Sequence, residues 1–442
     1  MSLRFIGADR ATPGTGGDGA GVGWAEAIDG GTAPDGSLWV PTELPPTFVE
    51  TSTGRDPGPF GPWAAQRART WLDDDVAGAD LDAALDLPVR VRSLGDGIDL
   101  LDLTRGPTGA FKDVGARVLA ALWSVTARSD SRPRTVLTAT SGDTGGAVAA
   151  AVEGVSGLRA VILFPLGRVS DVQRRQFTTR ASTVTAVGVR GTFDDCQRLA
   201  RGAFADDDHV ETFALVSANS INPGRLLPQT LYYGWVSAGG RAEGAPRPVV
   251  VPSGNLGNVT AAVLARCMGA ELGDLHAVVN ENDALVRAAQ GSPGGAEDGP
   301  ESAVRTDSSA MDVAAPSNLA RLEWLSARTD TRLSDLVNPT SIGVEEARDA
   351  QRWAFRRHSV MIDPHTATGV ARARRMIRDH PGARPLVVET AHPGKFPTVV
   401  PEVLGRPAPE AEWLQRSGEE HWVEIDADPE ALVAILDEGL GR

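Results

Sequence analysis

Lysine is nearly missing from this chain. Of its 43 Lys and Arg residues only Lys112 and Lys395 are lysines, leaving 43 − 2 = 41 arginines. A guanidinium stays protonated and cannot attack a carbonyl, so chemistry that needs a basic amine falls to those two positions. Cysteine is equally scarce: Cys196 and Cys267 are the only two, and neither stands in a Cys-x-x-Cys or Cys/His pattern. That fits a reducing cytoplasm and speaks against a structural metal site, so no metal is expected. The chain has no apolar run near the ~18 residues of a spanning helix. Its start, Met1-Ser2-Leu3-Arg4-Phe5, lacks the apolar stretch of a signal peptide. A cytoplasmic protein with no membrane partner is therefore expected. Positive charge is in deficit too: the formal net charge is −15, which argues against nucleic acid as a partner.

What is present is a globular composition. The chain has 442 residues, 41% hydrophobic and 23% charged, with 49 Gly and 30 Pro, enough for two or three domains and a large core. From residue 96 onward a short β-branched run, a Gly or polar turn and a helix recur. The pattern predicts strands at 135–140, 159–164, 183–189, 249–251, 275–280 and 385–389, and helices at 146–153, 171–178, 192–204 and 259–268. Such alternation implies parallel βαβ units in an α/β fold, whose ligands bind beyond the carboxyl ends of the strands. Residues 1–95, rich in Gly, Pro, Asp and Trp, read as a separate cap with helical patches at 61–72 and 80–85. The polar, Gly- and Pro-rich stretch 290–309 reads as a mobile surface loop, and a lid is one use for it.

Two strand-to-helix turns fall where ligands bind. Ser253-Gly254-Asn255-Leu256-Gly257-Asn258 brackets an Asn-Leu pair with glycines, so successive amides can face one anion at a helix start. A nucleotide loop would need Gly-Lys-Ser/Thr, which is missing here. A plain structural bend stays open. In Ser141-Gly142-Asp143-Thr144-Gly145 the hydroxyls and amides suit a carboxylate, though Ser and Asp are also ordinary helix caps.

The ordered set is more specific than either turn. Gly106-Pro107-Thr108-Gly109-Ala110-Phe111-Lys112-Asp113 is followed by Thr140-Ser141-Gly142-Asp143-Thr144-Gly145, then by Pro252-Ser253-Gly254-Asn255-Leu256-Gly257-Asn258, then by Glu389-Thr390-Ala391-His392-Pro393-Gly394-Lys395-Phe396. This order resembles the threonine synthases of the long bacterial and fungal branch of fold-type II pyridoxal-phosphate (PLP) enzymes. Trp24-Ala25-Glu26-Ala27, the run Ala33 to Pro41, Asn219-Ser220-Ile221-Asn222 with Arg225, and Ser309-Ala310-Met311-Asp312-Val313 extend the likeness over nearly the whole chain.

The resemblance implies two open, mostly parallel sheets with pyridoxal 5'-phosphate in the cleft between them and an N-terminal cap over it. The cap would be 1–95, the large domain 96–112 with 220–442, and the smaller domain 113–219. Lys112 would hold the cofactor covalently and then shuttle protons. Ser253, Gly254, Asn255, Leu256, Gly257 and Asn258 would cradle its phosphate, Thr390 would face its ring nitrogen, and Asp143 would lie near it. Thr108, Ser141, Gly142, Thr144 and Gly145 would grip the substrate carboxylate. Arg168 and Ser170, with Gln173 beside them, and Asn219, Ser220 and Arg225, with Asn222, would take the substrate phosphate. His365 and His392 could orient groups near the cofactor or be structural. The implied reaction converts O-phospho-L-homoserine and water to L-threonine and phosphate, in a monomer or homodimer. A PLP phospholyase or dehydratase releasing an α-keto acid, and an inactive PLP-binding homologue, stay open.

This sequence departs from the family pattern at Arg105, where His is usual, and at Gly109, Leu256 and Gly394, where a bulky residue, Phe and Ala are usual. Arg105 adds a permanent charge close to Lys112, with the expectation that it lowers that amine's pKa or contacts an anion.

Overall fold

Thirteen strands organise the chain in the computed structural model, which describes residues 2–11, 21–49, 56–126, 133–180, 182–239, 246–291 and 303–438. In chain order they are β1 (Phe5–Gly7), β2 (Trp39–Pro41), β3 (Arg90–Gly95), β4 (Ile98–Asp102), β5 (Arg134–Ala139), β6 (Leu158–Pro165) and β7 (Val184–Arg190). There follow β8 (Leu215–Ser217), β9 (Val249–Pro252), β10 (Leu275–Val279), β11 (Thr340–Ser341), β12 (Leu386–Glu389) and β13 (Val423–Asp426). A six-stranded sheet runs β11-β10-β9-β12-β4-β3 and a five-stranded sheet runs β13-β7-β6-β5-β8. Every neighbour pair in both is parallel except β3 with β4. The expected α/β architecture of two mostly parallel sheets is what forms.

The apolar pattern explains why both faces are covered. Successive strand residues point to opposite faces, so a fully apolar strand needs a partner layer on each side. In β6, Ala160, Ile162 and Phe164 enter one core while Val161 and Leu163 enter another. In β9, Val249 and Val251 join that first core and Val250 turns to a third. One face of each sheet thus feeds a common core; β9 and β12 are parallel neighbours, and Asp143, just after β5, meets Lys395, just after β12. At about 1.5–3 kcal/mol per fully buried Val, Leu, Ile or Phe, this shared core dominates the stability that fixes the cleft.

Chain order does not decide sheet membership. Arg90–Gly95 was expected inside the cap, in an irregular stretch, yet it is the antiparallel edge strand β3, turned back by Asp96 and Gly97 at φ 49° and 83°. Val423–Asp426, within the expected large domain, pairs with β7 of the other sheet. Both depend on register with partners that local patterning does not reveal. Ahead of β3, the helices Trp24–Gly30, Phe60–Ala68 and Leu81–Leu85 pack against the helices Lys112–Thr126 and Thr230–Gly239. Of the polar loop expected at 290–309, residues 292–302 lie outside the described residues.

Candidate active site

Lys112 opens the helix Lys112–Thr126, and the segment before it is laced to the end of β12. Phe111 N–H donates to Thr390 O (2.9 Å), Ala110 bridges Ala391, and His392 N–H donates to Gly109 O (2.8 Å). Asp113 closes the turn by accepting from Thr108 N–H (3.0 Å) and Thr108 Oγ1–H (2.6 Å). Gly109 is required there: its φ is 66°, and a Cβ would stand 2.6 Å from Leu414 Cδ2. Lys112 and Thr390 are thereby fixed side by side, although they are far apart in sequence.

The amine of Lys112 does not have a carboxylate to itself. Asp143 Oδ2 lies 3.6 Å from Lys112 Nζ, while Asp143 Oδ1 lies 2.7 Å from Lys395 Nζ. Lys395 is 0% exposed and also donates to Thr108 O (2.7 Å). Gln173 Nε2 donates to Asp143 Oδ1 (2.9 Å). The chain's only two lysines meet on one buried carboxylate. Burial pushes the Lys112 amine below its ordinary pKa; Asp143 pulls it up, and Lys395 and Arg225 push it down further. Burial alone would raise the Asp143 carboxyl, but Lys395 and Lys112 outweigh it and hold it well below the usual carboxylate range.

Asp143 is placed by the turn after β5, at the first position of the helix Asp143–Val152. Thr140 Oγ1 accepts from Gly142 N–H (2.9 Å) and Gly145 N–H (2.8 Å), so those two amides are already engaged. The hydroxyls of Ser141 and Thr144 have no partner among the described residues and are the free donors of this turn.

Across the cleft, Leu256 caps the helix Gly257–Cys267 in the left-handed region (φ 60°), with no side chain capping the first amides. Those amides and the helix dipole offer an anion site. The loop is braced by the 219–222 segment: Asn255 Nδ2 donates to Ser220 Oγ (2.8 Å), and Asn318 Nδ2 donates to Ser220 Oγ (3.1 Å) and Asn255 O (2.9 Å). Ser220 therefore belongs to the same structure as the 253–258 loop. Ser253 Oγ bonds back to Val251 O (3.2 Å). Asn258 Oδ1 accepts from Tyr232 and Tyr233 hydroxyls, while its buried Nδ2 has no partner.

Thr390 is 5% exposed, and its Oγ1 has no hydrogen-bond partner among the described residues. Its backbone N–H donates to Thr366 Oγ1 (3.2 Å), and Thr366 in turn bonds Asp363, the buried N-cap of the helix Pro364–Asp379. His365 is held from both sides, with Nδ1 2.8 Å from Asp363 Oδ1 and Nε2 accepting from Ala310 N–H (3.0 Å). The ring proton is thereby assigned to Nδ1.

The remaining expected residues divide. Arg225 is buried, donates to Ala218 O (2.6 Å) and keeps an unpartnered Nε; burial pushes it down to about 10. Asn222 is a cap bonded to Ile28 O and Ser217 O. Ser170 caps the helix Asp171–Thr178 and donates to Lys395 O (2.8 Å). Arg168 is exposed, with no side-chain partner among the described residues. Arg105 sits over the Trp413 ring at 5.6 Å, and Trp413 packs edge-on against His392. The cations that lower the Lys112 pKa most are Lys395 and Arg225, so the charge expected of Arg105 is exerted elsewhere: burial lowers His392 to about 4, and Arg105 adds a minor push.

Sequence reasoning missed three parts of the site. Lys395 carried a signal, its rarity, that was used for Lys112 alone. Arg321, fully buried and without a carboxylate, donates to Trp39 O, Ser220 O, Ile221 O and Asn318 Oδ1 and so clasps the braces of the 253–258 loop. The 409–414 segment meets three of the departures at once: Leu414 fills the space beside Gly109, Pro409 O approaches Gly394, and Trp413 carries Arg105.

Comparison with known proteins gives concordant matches. A family model described as "Pyridoxal-phosphate dependent enzyme" matches residues 88–390, and one described as "Threonine synthase, C-terminal" matches 366–435. The chain is 34% identical over 396 residues to the threonine synthase of Serratia marcescens, covering 88% of this chain and 89% of that one. It is similar to the solved PLP-bound threonine synthase of Brucella melitensis, with a TM-score of 0.84 and 27% identity over 99% of each chain. The Escherichia coli threonine synthase structure gives a TM-score of 0.83 and 30% identity over 98% of this chain and 99% of that one.

Proposed function

The chain belongs to the threonine synthase family of pyridoxal-phosphate-dependent enzymes, and on that premise we propose that it converts O-phospho-L-homoserine and water to L-threonine and phosphate with the residues of the Lys112 cleft. The observation that carries the assignment of residues is the buried Lys112 amine beside Asp143, together with an uncapped helix start at Gly257 and an orphaned hydroxyl at Thr390.

Those features fit pyridoxal 5'-phosphate. The uncapped amides from Gly254 to Asn258 and the orphaned Asn258 Nδ2 are donors for a phosphate. A Cβ on Gly254 would run into the 310–311 backbone, so only glycine leaves the loop in this conformation. Thr390 Oγ1 is a partnerless hydroxyl that can donate to a ring nitrogen without enforcing a full positive charge on it. The cofactor, when bound, supplies an electron sink for the bonds broken at Cα and Cβ.

Each residue then has a physical task. Lys112 Nζ would hold the cofactor covalently and, once released by the substrate amine, would take the Cα proton; a pKa below the ordinary lysine value favours the lone pair it needs. Ser141 and Thr144 hold the substrate carboxylate with hydroxyls that no protein group uses. Arg225 offers its unpartnered Nε–H to the substrate phosphate, with Asn219 beside it; Arg168, exposed, guides the anion at the entrance. Asp143 stays ionised as the close partner of Lys395, with Lys112 at 3.6 Å. His392, lowered to about 4 chiefly by burial, adds no further cation at neutral pH.

The division into a large domain, a smaller domain and an N-terminal cap is supported by the two sheets and by the helices that precede β3. Among the described residues no helix is long and apolar enough to cross a membrane, and Cys196 and Cys267 are both free thiols; a cytoplasmic location is part of the proposal. A monomer or homodimer is proposed.

Product analysis tests the function. Protein loaded with PLP is given O-phospho-L-homoserine, and phosphate, threonine and 2-oxobutyrate are quantified together. Equal phosphate and threonine are expected. Phosphate with 2-oxobutyrate would mean elimination without hydration and a lyase instead.

A further inference from the structure

The second lysine does not touch the site's open side, yet it is spent on the same carboxylate as the first. Lys395 is 0% exposed, and among the described residues its three N–H donors meet two acceptors, Asp143 Oδ1 and Thr108 O, both at 2.7 Å. Lys112 Nζ stands 0.9 Å farther from the same carboxylate, at 3.6 against 2.7 Å, which is beyond ordinary hydrogen-bond reach. Asp143 is thus a closed ion pair with Lys395 and only a loose neighbour of Lys112.

We propose that Lys395 is a positioning residue that occupies Asp143, so that the Lys112 amine lies in a buried site without a counterion of its own and stays free to bond the cofactor aldehyde and to accept a proton. The proposal rests on the reading of Lys112 as the cofactor lysine. The charges count as follows. With Lys112 neutral, Asp143 and Lys395 cancel; protonating Lys112 would leave one uncompensated buried cation, beside Arg225, which is itself buried and without a carboxylate partner. That is the costly state in a low-dielectric interior. Without Lys395 the balance reverses, because Asp143 would become the counterion of Lys112 and favour its ammonium form.

The surroundings hold the pair in place from every packed element. Gln173, on the helix Asp171–Thr178, donates to Asp143 Oδ1. Ser170 on the same helix takes hold of the Lys395 backbone carbonyl, and Gln176 Nε2 donates to Thr108 O (3.0 Å) beside the Lys395 ammonium. Asp113, on the Lys112 helix, is engaged by Thr108, and His365, from the helix Pro364–Asp379, adds a weaker influence on Asp143. The acids near Lys112 are therefore Asp113, committed to Thr108, and Asp143, committed to Lys395. Arg225, on the turn Pro223–Leu226, adds repulsion from a third direction.

Scarcity of lysine makes the test direct. The full chain, freed of cofactor, is labelled with [13Cε]lysine; it should give two side-chain signals, and Lys112→Ala assigns them. The Lys112 signal is followed as pH is raised. The wild-type midpoint is expected below that of free lysine. Lys395→Met should move it up by about 1–3 pH units, the shift an unshared carboxylate at this range produces. Lys395→Arg, which keeps the charge, should leave it low. Asp143→Asn should lower it further, because Lys395 then faces Lys112 uncompensated. A Lys112 midpoint unchanged in Lys395→Met would overturn the proposal. Should Lys395→Met not fold, an unchanged or raised midpoint in Asp143→Asn would overturn it instead. The titration uses neither cofactor nor substrate, so it separates failure of this proposal from failure of the threonine synthase reading, which product analysis decides.

Discussion

Gly254→Ala isolates the anion loop from everything else in the site. A Cβ on Gly254 would sit 2.5 Å from Ala310 O and 2.7 Å from Met311 Cα, both backbone atoms. That backbone has little freedom to yield. Ala310 N–H is held by His365 Nε2, and Asp312 Oδ1 accepts from Thr306 Oγ1 (2.7 Å) and Asn280 Nδ2 (2.8 Å). The Asn255–Asn258 amides must therefore move instead, and overpacking of this kind costs about 1–3 kcal/mol. If that cost falls on the cofactor-bound form, PLP affinity drops by about 5- to 150-fold. Affinity is read by titrating the cofactor against its visible absorbance, and the melting temperature of the cofactor-free chain is recorded alongside. Gly202→Ala is the control, since a Cβ there meets nothing within 4 Å and the residue lies inside the helix Phe193–Phe204. It should leave affinity unchanged and stabilise the chain by about 0.5–1 kcal/mol. Equal PLP affinity in wild type and Gly254→Ala, with equal stability, would refute the placement of the phosphate on this loop.

Other perturbations separate stability from chemistry. Thr390→Val removes a buried hydroxyl that has no partner, so the cofactor-free chain should melt no lower than wild type while turnover with PLP falls. Arg321→Met takes the donor from four acceptors and is expected to destabilise the chain, at about 1–3 kcal/mol for each acceptor left buried and unmet, seen as a lower denaturant midpoint at unchanged slope; an unchanged midpoint would remove Arg321 as the clasp. Gly109→Val combines a left-handed φ with a clash against Leu414 and should cost about 2–4 kcal/mol by the same assay. His276, in β10, is lowered to about 4 by burial and then by Arg372. An imidazole depressed in the folded state stabilises above its ordinary 6.5 and loses that contribution as pH falls from 6.5 to 4. His276→Gln should accordingly flatten the fall in melting temperature across that window, and an identical slope would contradict the assignment.

Local pattern carried most of the central fold into view. The strands expected at 159–164, 249–251 and 385–389 lie within or one residue off β6, β9 and β12, and the helix at 171–178 matches Asp171–Thr178. These are mostly apolar strands, and the helix after β6 carries a Ser170 cap, so period and turn chemistry agree there. What stayed hidden depends on distant partners. The Asp96-Gly97 turn joining β3 to β4 was readable in principle, but Arg90–Gly95 is half exposed and polar, so nothing marked it as a strand. The membership of β13 beside β7 has no local signature at all.

The site was legible as motifs and not as circuits. Ser141–Gly145 was recognised as a donor turn, yet the capture of two of its amides by Thr140 is a tertiary fact. Thr108 was expected to face the substrate; its hydroxyl is bonded to Asp113, and its carbonyl collects Lys395 and Gln176. Departures read singly as oddities, Arg105, Gly109 and Gly394, share one neighbour, the 409–414 segment, which only the folded chain brings to them.

The identity of the cofactor lysine is the claim on which the rest depends, and the chain's composition reduces it to a choice of two. Holoenzyme reduced with borohydride fixes PLP to whichever amine it is bonded to, and peptide mapping then locates the added mass. The account requires it on the peptide containing Lys112, with Lys395 unmodified. Label on Lys395, or stable loading without label on either lysine, would contradict it.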